Sequence, residues 1–314
     1  TLGEIMPLKP TKKIWFNNEL VSWESAQIHV LSYALHYGSA VFEGIRAYST
    51  ENGSQIFRLN EHVRRLYNSA KIYRMKISYT ENEVIEACRK VVSVNELHSG
   101  AYIRPIAFRG YNDLGLHASM DDDIEVAVAA WEWGTYLGAD ALKNGVDVCI
   151  SSWNRNAPNT IPVMAKASGN YLSGTLVAIE AKENGYDEGI CLDSDGFVSE
   201  GAGENIFMVR HEKLITPPLS SSILDGITRD SVMKIADDLN IECVERRITR
   251  EELYLADELF FTGTAAEITP IRSVDRIQIG EGKRGPITES IQSVFFGLFN
   301  GESDDKWNWL TPIE

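Results

Sequence analysis

Positive charge is scarce in this 314-residue chain. Lys and Arg number 30 against 45 Asp and Glu, a formal net charge of −15. That balance disfavours nucleic acid and anionic membrane as partners, and any anionic ligand must be met by a local positive site. Cysteine is sparse too. Cys88, Cys149, Cys191 and Cys243 stand far apart with no C-x-x-C pair. They read as free thiols of a reducing, cytoplasmic compartment, not as a disulfide frame or a zinc site. The six histidines show no ligand spacing, so no metal is expected. No apolar run reaches the length of a membrane span, and the first residues lack a secretory apolar stretch. Also missing are G-x-x-x-x-G-K-[ST], G-x-G-x-x-G and G-x-S-x-G, which argues against a triphosphate loop, a dinucleotide-binding turn and a hydrolase elbow.

A hydrophobic content of 44% and a charged content of 24% are ordinary for a globular protein, and the length suits two domains. Strands and helices mix without strict βαβ alternation, which predicts an α+β fold with mixed sheets. A loose arm at 1–10 precedes a small N-terminal domain (1–131), then a connector (132–141) and a larger domain (142–314). In the first, a hairpin turns about Asn17-Asn18. Asn60 is the expected cap of a helix with Val63, Leu66, Tyr67 and Ala70 on its apolar face and Arg65 beside it. Thr80 and Glu83 form a capping box before Val84, Ala87, Cys88 and Val91. In the second, Leu172, Leu176 and Ile179 mark one helix and Arg229 to Leu239 another, and Asp193-Ser194-Asp195-Gly196 is a hairpin turn.

Three stretches carry chemistry. Lys166 follows Ile-Pro-Val-Met-Ala and precedes small residues before Tyr171. An ammonium there is poorly solvated, which favours the nucleophilic free amine; the alternative is a snorkelling lysine at the end of a buried strand. Ser199 to Phe207 places Glu200 and Glu204 with Asn205 on a glycine-rich bend, either presenting a carboxylate to a ligand or forming a solvated turn. Leu224-Asp225-Gly226-Ile227-Thr228 opens a helix, as an anion site or as a simple Thr228 cap. Phe261 to Glu267 is a second small-residue turn at a strand end, also able to aim N–H groups and hydroxyls at an anion. An amine, an acid, two anion-binding turns and a spare arginine together suit pyridoxal 5'-phosphate.

These residues also carry a resemblance. Glu200-x-Ala202-x-x-Asn205-Ile206-Phe207, Leu214-Ile215-Thr216 and Ile223 to Arg229 resemble the signature of the class IV aminotransferases, the fold type IV pyridoxal-phosphate enzymes. Phe42-Glu43-Gly44-Ile45-Arg46, Tyr102-Ile103-Arg104, Ser152-Trp153-Asn154-Arg155 and Gly263 to Pro270 are similar to the branched-chain amino acid branch of that family. The likeness runs from Ile14 to the Asp305-Lys306-Trp307 tail. It implies a D-amino acid aminotransferase-like two-domain fold and reversible amino transfer between L-leucine, L-isoleucine or L-valine and 2-oxoglutarate. By resemblance, Lys166 is the covalent anchor and the proton-moving base, Glu200 pairs with the pyridine nitrogen and Tyr171 with the ring hydroxyl. Arg65, the Ile227 and Thr228 amides and Thr264 meet the phosphate, with Asn205, Gly226 and Gly263 also in the cofactor set. Tyr37, Phe42, Gly44, Trp133 and a partner subunit's Leu116 line the substrate pocket. Tyr102, Thr264 and Ala265 hold the α-carboxylate and Arg104 the γ-carboxylate of glutamate. The resemblance also implies a site between the domains of at least a homodimer, with a trimer of dimers left open. Same-fold alternatives are a D-amino acid transaminase, an (R)-amine transaminase and an aminodeoxychorismate lyase. A non-catalytic binder on the same scaffold is a further one.

Overall fold

Asn17 and Asn18 adopt left-handed backbone, with φ of 47° and 71°, the two-residue turn that suits the twist of a hairpin. It joins β1 (Lys13–Phe16) to β2 (Glu19–Ser22), as the sequence predicts. A computed structural model describes residues 8–111, 114–119, 122–134 and 140–313, so most of the expected N-terminal arm lies outside the described residues. The chain falls into two units, Thr1–Gly134 with Asp305–Glu314, and Thr135–Asp304.

The first unit continues with α1 (Tyr33–Tyr37), β3 (Ala40–Phe42), β4 (Ile45–Thr50), β5 (Gly53–Phe57), α2 (Leu59–Ile72), α3 (Glu81–Val94), β6 (Ala101–Arg109) and β7 (Ile124–Glu132). Its antiparallel sheet runs β5-β4-β6-β7-β1-β2, with β3 also on β6. Val63, Leu66 and Ala70 of α2 and Val84, Ala87, Cys88 and Val91 of α3 are all buried, the helical stripe expected from their spacing. Thr80 and Glu83 complete their capping box. The Asn60 cap is corrected: α2 starts at Leu59, behind a left-handed Arg58 with no side-chain cap bond. Arg58 turns instead to Glu61 at 2.9 Å and to the Trp309 ring.

The second unit holds α4 (Ala141–Asn144), β8 (Val146–Ile150), α5 (Tyr171–Glu183), β9 (Glu188–Leu192), β10 (Val198–Gly201), β11 (Asn205–Arg210), β12 (Lys213–Thr216) and α6 (Ile227–Asp238). It goes on through β13 (Cys243–Glu245), α7 (Arg250–Tyr254), β14 (Glu258–Gly263), β15 (Glu267–Val274), β16 (Ile277–Gln278) and α8 (Pro286–Asn300). The mixed sheet runs β10-β9-β8-β15-β14-β11-β12-β13, parallel at β8–β9, β8–β15 and β12–β13. In α5 the expected helix is present, yet Leu172, Leu176 and Ile179 face outward, 72%, 41% and 49% exposed, while Gly174, Val177 and Ala181 are buried. A side chain at Gly174 would meet the Ala202 carbonyl at 2.3 Å, so small residues let the helix lie close on the sheet.

Two expected boundaries move. β7 runs through Glu132 and α4 begins at Ala141, so only the middle of the 132–141 connector is left, and residues 135–139 lie outside the described residues. The expected second domain also ended at residue 314. Instead β17 (Leu310–Pro312) pairs with β5 of the first sheet. Trp309 is buried with its ring 5.6 Å from that of Phe57, and the Asp305 carboxylate accepts the Trp309 and Leu310 amides at 2.9 Å.

Candidate active site

Lys166 does not end a strand; it stands in irregular chain between the buried Ala165 and Ala167. Ile161 and Met164 before it are exposed, while the lysine itself is half-buried. Asn170 donates to the carbonyls of Pro162 at 3.1 Å and Ala165 at 2.9 Å, tying this segment to the start of α5. That places Tyr171, the first residue of α5, where its hydroxyl accepts from Lys166 Nζ at 2.5 Å.

Glu200 is buried near the end of β10. Its Oε1 accepts from Arg155 Nη2 at 2.5 Å; its Oε2 accepts from Asn205 Nδ2 at 2.9 Å and the Leu224 amide at 3.1 Å. A carboxylate has about four acceptor positions, so one is left for a ligand. Burial pushes Glu200 above the ordinary carboxylate range, against the opposing pull of Arg155, the Leu224 amide and Lys166. Asn205 also donates to the Leu224 carbonyl at 2.9 Å, so one amide links the acid to the loop entering α6. Gly226 follows that loop, and a Cβ there would come 1.8 Å from Asn205 Oδ1. Asn205 pairs in register with Thr262 of β14, which brings the Gly263-Thr264-Ala265 turn to the same end of the sheet.

The entrance to α6 differs from the simple cap. Gly226 is the N-cap, without a side-chain cap bond, and Thr228 lies inside the first turn. The backbone N–H groups of a twelve-residue helix there suit an anion.

In the first unit, Tyr102 and Arg104 alternate along β6 and so share a face. Arg104 Nη2 donates to the Tyr102 hydroxyl at 3.1 Å, and its guanidinium carbon lies 4.7 Å from the Phe42 ring centroid. The Tyr102 ring sits 4.8 Å from Trp133 and 5.2 Å from Trp131. Gly44 touches the same tyrosine, since a Cβ there would lie 1.9 Å from its hydroxyl. Arg65 reaches the Phe42–Gly44 step through Glu43. Phe42, Gly44, Arg65, Tyr102, Arg104 and Trp133 therefore form one cluster. Tyr37 ends α1 with its ring 4.5 Å from Tyr33, and Leu116 is 83% exposed; neither is drawn into that cluster by these contacts.

Glu43, Trp131 and Arg155 escaped assignment from the sequence. Glu43 and Arg155 stood within motifs but are 22 and 45 positions from the groups they pair with, a separation that leaves no periodic signal. Trp131 had a usable one, its two-residue spacing from Trp133 across the end of β7.

The donor set meets the needs of pyridoxal phosphate: an amine at Lys166, an acid at Glu200 with an acceptor position to spare, and a helix entrance whose glycine leaves the space a Cβ would fill. No cluster of three His, Cys, Asp or Glu able to hold a metal occurs among the described residues, and no helix among them is long and apolar enough to cross a membrane.

Residues 40–274 match the family described as amino-transferase class IV. The chain is 56% identical over 308 residues to the branched-chain-amino-acid aminotransferase of Salmonella typhimurium, covering 98% of this chain and 99% of that one. The crystal structure of Escherichia coli branched-chain amino acid aminotransferase superposes with a TM-score of 0.95 at 55% identity, covering 97% of this chain and 100% of that one. The Thermobaculum terrenum enzyme of the same name, solved in its PLP form, gives 0.89 at 36% identity over 97% and 99% of the two chains. A fold type IV chain with this lysine, acid and helix entrance, matched so nearly end to end, belongs to the class IV aminotransferase family, among the branched-chain-amino-acid aminotransferases.

Proposed function

We propose that the protein moves amino groups between L-leucine, L-isoleucine or L-valine and 2-oxoglutarate, using pyridoxal phosphate. The Lys166 Nζ hydrogen bond to Tyr171 carries this reading, because it holds an amine beside a phenol suited to a ring hydroxyl. When bound, the cofactor supplies an aldehyde that takes up amines and a ring that withdraws electrons from the substrate α-carbon. Lys166 would be the residue that holds it covalently, and its Nζ would be the group that takes and returns the α-proton. Glu200 meets the pyridine nitrogen through its remaining acceptor position, with Asn205 holding the carboxyl in place. Arg65, the Ile227 and Thr228 amides at the Gly226 cap, and the Gly263-Thr264 turn bind the phosphate.

Tyr102 and the Thr264-Ala265 amides orient the substrate α-carboxylate. Phe42, Tyr37, Trp133 and Gly44 line an apolar pocket. Arg104, resting on aromatic faces, meets the γ-carboxylate of glutamate in the other half-reaction. The exposure of Leu116 fits a residue that reaches a second subunit's site, so a homodimer is the minimum unit. Four free cysteines fit a reducing cytoplasm. Leucine and D-alanine, each offered as amino donor to 2-oxoglutarate, test the assignment. Turnover with leucine is expected, and turnover with D-alanine alone would refute it.

A further inference from the structure

We propose that Glu43 is a positioning residue for phosphate recognition: its buried carboxylate, held from behind by His62, fixes the Arg65 guanidinium in the orientation that meets a phosphate. The inference rests on Arg65 being a phosphate ligand, as proposed above.

Glu43 lies in the step between β3 and β4, its own amide donating to the Pro105 carbonyl of β6 at 2.9 Å. The carboxylate is therefore anchored to the sheet before it meets any partner. Arg65 Nε donates to Oε1 at 2.7 Å and Nη2 to Oε2 at 2.8 Å. His62 Nδ1 donates to Oε2 at 2.7 Å from one turn earlier on the same face of α2. A two-point fork fixes both the plane and the rotamer of a guanidinium, which a single hydrogen bond does not.

Burial is graded through the trio. The Glu43 side chain is 0% exposed and that of His62 2%, whereas Arg65 keeps 13%. Only the arginine reaches the surface. Burial alone would raise Glu43, yet the Arg65 charge and the hydrogen bonds from His62 and Arg65 hold it at about 2, so the fork stays ionised across any working pH. A buried ion pair adds little stability over apolar side chains of the same size. Stability is thus a poor reason to place a carboxylate and an imidazole beneath one arginine, and orientation is a good one. Preset orientation lowers the ordering cost when a phosphate binds.

The test compares affinities of the cofactor-free full-length protein for pyridoxal 5'-phosphate and for pyridoxal, which lacks the phosphate. Glu43→Gln should lower the preference for the phosphorylated form about tenfold or more, the scale of a lost charge-assisted contact, with pyridoxal affinity nearly unchanged. Glu43→Asp, which keeps the charge but retracts it, should lower the preference less, and it serves alone if the glutamine variant is insoluble. In the Glu43→Gln/Arg65→Met double variant the preference should equal that of Arg65→Met. Equal weakening toward both ligands, or an Asp variant with the parent preference, would overturn the positioning role. If Arg65→Met itself leaves the preference unchanged, the proposal falls with the phosphate assignment, and the two failures are told apart.

Discussion

Gly44 has no room for a side chain, because the space belongs to the Tyr102 hydroxyl. Gly44→Ala should displace that tyrosine and cut kcat/KM for leucine at least about tenfold, since a 1 Å misplacement near a reacting centre costs on the order of 10²-fold. Steady-state kinetics on the folded variant checks it. Lys166→Ala should abolish transamination, together with the borohydride-reducible visible band, while leaving the circular dichroism spectrum in place. The buried carboxylates Glu188 and Glu204 set a pH dependence. Burial first, then the charge of Glu204, pushes Glu188 from 4.5 up to about 8. The folded state therefore keeps a proton that the unfolded chain loses above about pH 4.5, and this contribution to stability drains away as pH rises through about 8. Glu188→Gln, which retains an acceptor for the Gly189 amide, should raise Tm at pH 9, by roughly 2–4 °C per kcal/mol recovered, and leave it unchanged at pH 4. Lys166 and Glu200 could be singled out as candidates because the sequence sets each in a distinctive stretch, small residues before a tyrosine for one and a glycine-rich bend for the other, and because the family resemblance links them. Arg155 and Glu43 were not, because what defines them is a partner brought close only by folding.

Helices and hairpins were legible where the pattern had one reading. The two asparagines of the first turn, the Thr80 capping box and the stripes of α2 and α3 each point to a single conformation. α5 did not offer that. Its outward leucines and inward small residues give it apolar groups all round, so spacing identifies a helix but not its buried face. Gly174→Ala tests the observed face. With the Ala202 carbonyl 2.3 Å from the added carbon, α5 has to move, at a cost of about 1–3 kcal/mol read as a lower urea midpoint. At the α6 entrance the sequence left an anion site and a Thr228 cap both open; the helix starts two residues earlier than that cap would place it, with Gly226 in the cap position. Gly226→Ala should push Asn205 off Glu200 and the Leu224 carbonyl, weakening pyridoxal phosphate binding measured by absorbance titration.

For the whole molecule, composition and length anticipated two mixed α/β units, but not that the chain re-enters the first one. No turn or cap in the sequence announces that return, because it depends on an edge strand and one tryptophan finding partners about 250 residues earlier. Truncation before Asp305 should expose the β5 edge and lower the thermal midpoint of the first unit, and limited proteolysis should then cut within residues 45–57 before it cuts the second unit. The same return has a consequence for synthesis. The second unit is complete when residue 304 has left the ribosome, whereas the first sheet still lacks its β17 edge at that moment. An open strand edge is a template for foreign pairing. The segment made first is thus the last to be completed, and β17, short and ending in a proline, replaces β5 as the edge that foreign strands would meet.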